Sequence, residues 1–149
     1  KYVMNQDMSG NPVGYGTGGR SSAMAFFDQI GQKIMEIDST TFKNSNRNGA
    51  GLHSDHQPFM LQGIPYTAPA SNLDRAIYGC YHSDCDAFDL VNKEHMENNV
   101  RFSSMMLYAL ADAEQLPAEK LNDADTRAFL EAQDLKLKLQ IGGDWRWED

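Results

Sequence analysis

Pro58-Phe-Met-Leu-Gln-Gly-Ile-Pro65 reads as one helical turn, a glycine stop and a buried strand that starts at Ile64. A helix handing directly to a strand marks a mixed architecture, and the segments on either side keep it mixed. Upstream, residues 1–4 read as a short strand. Residues 5–19 read as a loop, with turn chemistry at Ser9-Gly-Asn-Pro12 followed by Gly14, Gly16, Gly18 and Gly19. Ser21 or Ser22 can cap a helix through Ala25, Phe26, Ile30, Ile34 and Ile37, whose spacing keeps one apolar face. Residues 40–51 are polar and rich in asparagine, hence a surface loop.

Downstream, residues 68–79 look irregular. Asn92 can cap a long helix to about Leu116, with Met96, Val100, Leu107, Leu110 and Ala111 on one face and Pro117 as its stop. Residues 123–133 form a further helical stretch carrying Phe129 and Leu130. Leu135, Leu137, Leu139 and Ile141 alternate with polar residues, and this period of two predicts a strand at a sheet edge. Gly142-Gly143 leads into Trp145-Arg-Trp147, a tail that packs back on the domain. The mixture predicts an α/β layered domain rather than an all-α bundle.

The chain has 149 residues, enough for one domain, and 41% of them are apolar. No apolar run approaches the roughly 18 residues of a membrane-spanning helix. The net charge of −8 repels phosphate backbones, and no basic cluster offsets it, so nucleic acid is not an expected partner. The chain opens on strand-like residues with no initiator methionine and no targeting signal, which reads as a fragment or a processed product.

Two histidines stand in His53-Ser-Asp-His56 and a third in Cys80-Tyr-His-Ser-Asp-Cys-Asp86. Imidazole beside carboxylate suits zinc, and by spacing alone His53 and His56 would be the best ligand pair. Each histidine taken singly is more simply a hydrogen-bonded loop residue, and His95, in the first turn of a helix, reads as exposed. Cys80 and Cys85 enclose four residues, which is not a zinc-knuckle or thioredoxin spacing. Spacing leaves a tight disulfide and two unrelated thiols equally open. The glycine-rich stretch from Gly14 lacks the ending of a phosphate loop, and no Gly-x-Ser-x-Gly elbow supports a serine hydrolase.

Three stretches in order resemble the zinc-dependent aminopeptidases that include secreted bacterial leucyl aminopeptidases and glutamate carboxypeptidases. Asn5-Gln-Asp-Met-Ser-Gly10 is similar to that family's strand-end Asp-Met-x-Gly motif. Ser54-Asp-His-Gln-Pro-Phe59 with Gly63-Ile-Pro65 resembles its Ser-Asp-His-x-x-Phe…Gly-Ile-Pro signature. Cys80-Tyr-His-Ser-Asp-Cys85 resembles the segment with its last zinc-binding histidine. The resemblance implies a three-layer sandwich of the zinc-exopeptidase type, a mixed sheet flanked by helices, of which this chain is the C-terminal portion. Residues 1–117 would be half of a catalytic domain, and 118–149 an extension packed on it.

Carried over residue by residue, the resemblance makes Asp7 the ligand of one zinc and His82 that of a second. Tyr81 would stabilise the tetrahedral oxyanion. Asp55 would organise the loop beside the pocket, with His53 and Phe59 against the substrate, and His53 and His56 become pocket wall rather than ligands. Cys80 and Cys85 become a disulfide, which implies a secreted or periplasmic protein. The implied activity is hydrolysis of N-terminal residues from peptides by two zinc ions and an activated water. The family's earlier ligands and its general-base glutamate are absent, so the missing N-terminal half or a homo-oligomeric partner would complete the site. The alternatives are a non-catalytic binding or structural fragment and a glutaminyl cyclase-like acyltransferase with a single zinc.

Overall fold

The computed structural model describes residues 1–8 and 10–148. Three strands form a small mixed sheet in the order β1-β3-β2. Strand β1 (Val3–Met4) runs parallel to β3 (Tyr66–Asn72), with Val3 opposite Tyr66 and Met4 opposite Thr67. Strand β2 (Asn11–Gly16) runs antiparallel to β3, with Tyr15 opposite Pro69 and an irregularity between Pro12 and Gly14. The expected α/β class holds at this level.

Strand β2 lies inside the stretch expected to be loop. Its Pro and Gly residues count as turn signals in sequence, yet Gly14 answers a local demand. At Gly14 a Cβ would collide with the Ser45 backbone, because residues 43–47 run along the outer edge of β2. There the Lys43 and Ser45 amides both donate to the Val13 carbonyl, and the Arg47 amide donates to that of Tyr15. The edge is thereby covered. Strand β3 likewise extends through residues expected to be irregular, and α3 (Arg75–Gly79) follows it.

Helix α1 (Met24–Ile37) follows a 3-10 turn over Ser21–Ala23, and neither Ser21 nor Ser22 caps it, since no side chain bonds its N-terminus. Helix α2 (Gln57–Leu61) stops at Gly63, which has φ +75° and no room for a Cβ against the Leu121 carbonyl. That helix–glycine–strand order is the one expected. Helix α4 (Lys93–Asp112) is capped by Asn92, whose side chain accepts from the His95 amide at 3.0 Å, and it ends four residues before Leu116.

The buried face of α4 keeps the expected Leu110 and otherwise differs from the expected one. Phe102, Met106 and Leu110 are buried, whereas Met96, Val100 and Leu107 are 42%, 64% and 54% exposed. Phe102 packs edge-on against Phe42 at 5.3 Å within a core that also holds Tyr15, Phe27 and Ile34. The aromatic contact outweighs the smaller Val100. The asparagines beside Phe102 are buried without orphaned groups: Ser103 donates to Asn99 at 3.0 Å, and Asn99 donates to Gln6 at 3.2 Å.

Helices α5 (Asp123–Ala132) and α6 (Lys136–Gly142) complete the chain. The strand expected over residues 135–141 is helix α6. Only Leu135 and Leu139 are buried, at 2% and 1%, while Leu137 and Ile141 are 67% and 80% exposed. A spacing of four is helical, and Lys, Leu and Gln are good helix formers. Leu130, Leu135 and Leu139 share a second core with Met60 and Tyr66, and Trp145 and Trp147 pack against it.

Candidate functional site

Asp7 follows β1 by three residues, and two loops meet there. Ser54 Oγ donates to Asp7 Oδ2 at 2.6 Å, and Asn5 Nδ2 donates to Ser54 Oγ at 2.8 Å. Asn5 and Asp7 thus share Ser54 as a partner, Asn5 buried and Asp7 exposed. Asn5 Nδ2 also lies 3.3 Å from His56 Nδ1, and His56 Nε2 lies 3.0 Å from the Gly51 carbonyl. A carbonyl only accepts, so Nε2 carries the proton and Nδ1 accepts from Asn5.

His56 is therefore not pocket wall. It is 6% exposed, stacks on Tyr66 with centroids 3.9 Å apart, and belongs to the loop's internal frame. The Tyr66 hydroxyl accepts from the Gly51 amide at 2.9 Å, and burial raises its pKa above the ordinary value. His53 is exposed, has φ +68°, and donates its amide to Gln57 Oε1 at 2.7 Å. Asp55 and His53 line a shallow, open cavity of about 400 Å³ together with Leu61 and Asp144. Phe59, 45% exposed on α2, lines neither this cavity nor the one described next.

Cys80 and Cys85 form a disulfide, with Cα atoms 5.1 Å apart, so of the two pairings left open by spacing the disulfide is the one present. The bridge closes a tight loop, and Ser83 Oγ donates to the Cys80 carbonyl inside it at 2.7 Å. His82 sits at the loop's tip with φ +57°, an uncommon conformation for a residue with a Cβ. The Tyr81 ring lies on the His82 imidazole with centroids 3.9 Å apart and remains 44% exposed.

A cavity of about 250 Å³ lies beside Asp7's and His82's chain neighbours. Met8 and Tyr81 both line it, and each is the chain neighbour of a candidate ligand, Asp7 or His82. The rest of its wall is mainly apolar, from Leu73, Ile77, Leu90 and Val91, with Asp86 and His95 as its ionisable groups. His95 is thus half-buried at a cavity rather than simply exposed.

The donor types of Asp7 and His82 suit zinc, but their number does not complete a site. Among the described residues no group of three or more His, Cys, Asp or Glu side chains converges. Asp7 is oriented by Ser54, and His82 is presented by a cross-linked loop.

The family model described as peptidase family M28 matches residues 1–107, which include Asp7, Ser54, Tyr81 and His82. The chain belongs to peptidase family M28. As an M28 chain it is a hydrolase of peptide bonds by family, and M28 peptidases are generally zinc-dependent. No curated protein and no solved structure gave a significant match.

The sequence alone does not single out the roles of Asn5, Ser54, Gln57 and Asp144 in holding these loops. Their contacts depend on closures that sequence spacing does not encode.

Proposed function

We propose that this chain supplies part of the active site of an M28 aminopeptidase, with Asp7 and His82 each ligating one of two zinc ions. The observation that carries the reading is the cavity bordered by Met8 and Tyr81, which brings the chain beside both candidate ligands to one place. Zinc, when bound, would polarise the scissile carbonyl and lower the pKa of a shared water. The remaining ligands and the general base come from outside the described residues.

This chain's own groups do the following work. Ser54 holds one oxygen of Asp7 and leaves the other for the metal. The Tyr81 hydroxyl, exposed beside His82, donates a hydrogen bond to the oxyanion as the water adds to the carbonyl. The apolar cavity excludes water from the substrate's side chain, and the His53–Asp55 loop borders its amino end. The disulfide keeps His82 in place and fits a secreted or periplasmic protein, because such bridges persist in oxidising compartments. Peptides are the substrate.

The test is zinc content and leucine-anilide hydrolysis by the complete enzyme carrying this chain, wild type against His82→Ala. The variant is expected to lose zinc and activity together. Hydrolysis at the wild-type rate by His82→Ala would overturn the assignment. The competing reading, a non-catalytic binding module, draws support from the two-ligand count, and it requires that the wild type hold no zinc.

A further inference from the structure

The family match ends at residue 107, yet the segment beyond it reaches the candidate site. Gln57 stands between the two. Its Oε1 accepts from the His53 amide at 2.7 Å, and its Nε2 donates to Asp144 Oδ2 at 2.7 Å. One residue after His53, Ser54 holds Asp7. Asp144 is itself fixed, because its amide and that of Trp145 both donate to the Leu139 carbonyl, at 2.8 and 3.2 Å. Arg146, two residues on, bonds the Leu61 carbonyl and pairs with Asp123 at 2.6 Å.

The same C-terminal segment grips both ends of the loop. Gln133 Oε1 accepts from the Ala50 amide at 3.0 Å, and the Leu121 amide donates to the Gly63 carbonyl at 3.0 Å. The loop that orients Asp7 is thus hung from residues that the family model does not cover.

We propose that Asp144 is a positioning residue for the site loop, acting through Gln57. A carboxylate only accepts, so Asp144 draws the Gln57 amino group to itself and leaves the carbonyl oxygen facing the His53 amide. With the amide reversed, an N–H would meet an N–H and the His53 bond would be lost. His53 at φ +68° has little intrinsic preference for its conformation, so this external bond decides it. Its catalytic meaning rests on the reading of Asp7 as a zinc ligand, whereas the coupling itself does not.

Amide hydrogen exchange by NMR on the metal-free 149-residue chain tests the coupling. In Asp144→Ala the His53 amide is expected to exchange about fivefold faster, the loss of one typical hydrogen bond, with α4 amides unchanged. Asp144→Asn keeps an acceptor oxygen and is expected to restore the wild-type rate. An unchanged His53 rate in Asp144→Ala would overturn the proposal, as would a rise shared equally by α4. Failure of the complete enzyme to bind zinc would defeat the peptidase reading and leave these rates as they are.

Discussion

Ser54 Oγ donates a 2.6 Å hydrogen bond to Asp7 Oδ2 across 47 residues of chain. The bond ties the end of β1 to the loop before α2, and Asn5 braces it from the side at 2.8 Å. A carboxylate held by one oxygen presents the other in a fixed direction, which is how neighbouring groups raise metal affinity. Ser54→Ala is expected to weaken zinc binding by the complete enzyme about tenfold or more, with Ser54→Thr retaining most of it. Zinc titration checks this, and equal affinity in all three proteins would contradict it.

The Cys80–Cys85 bridge closes a short loop, so its effect on the unfolded chain is modest. Chain entropy for a loop of this size gives about 2 kcal/mol of stabilisation, or a fall of about 4–8 °C in Tm on reduction for a chain of this length. The local effect is larger, because the bridged loop holds His82 at φ +57°. Thermal melts with and without dithiothreitol measure the first. Loss of zinc from the reduced enzyme below its new Tm measures the second.

Much of the helical fold was legible because its signals are local. Asn92 capping α4 and Gly63 ending α2 act within a few residues of themselves. Asp7, Tyr81 and His82 stand out as motif members, but nothing in the spacing shows that Met8 and Tyr81, beside two of them, line one cavity. Strand β2 is not legible, because Pro12, Gly14 and Gly16 read as turn residues, and the passage of the Ser45 backbone that requires Gly14 is not revealed by sequence. Phe42 lies in a stretch that reads as polar surface loop, yet it is fully buried and redirects which face of α4 turns inward. The setting of His56 is not legible in sequence because its partners are Asn5, 51 residues away, and the ring of Tyr66.

Helix α6 offers a direct test of a two-residue period that mimics a strand. Leu139 is 1% exposed and Leu137 is 67% exposed, two residues apart. On a half-buried strand both would face the core equally, whereas on this helix only Leu139 does. Leu139→Ala is expected to cost about 2–5 kcal/mol by cavity formation, and Leu137→Ala about 0.5 kcal/mol or less. Urea unfolding of the two variants separates the cases, and similar losses at both positions would favour the strand.

Asp38 ends α1 and carries the clearest pH dependence of the fold. Its Oδ1 accepts from the Thr40 hydroxyl at 2.7 Å and from the Thr40 and Thr41 amides at 3.0 Å. Its Oδ2 accepts from Arg101 on α4 at 2.6 Å. These bonds, the Thr40 hydroxyl first and the Thr41 amide next, hold the carboxyl well below the usual carboxylate range. A folded pKa below the unfolded one stabilises the native state fully above the unfolded value, and the stabilisation is lost as pH falls towards the folded one. Wild type is therefore expected to exceed Asp38→Asn in stability by a constant margin down to about pH 5, and by a shrinking margin below about pH 4. Urea midpoints of both proteins across that interval measure it. A margin that widened on acidification would mean that the Thr40, Thr41 and Arg101 bonds do not favour the charged carboxylate.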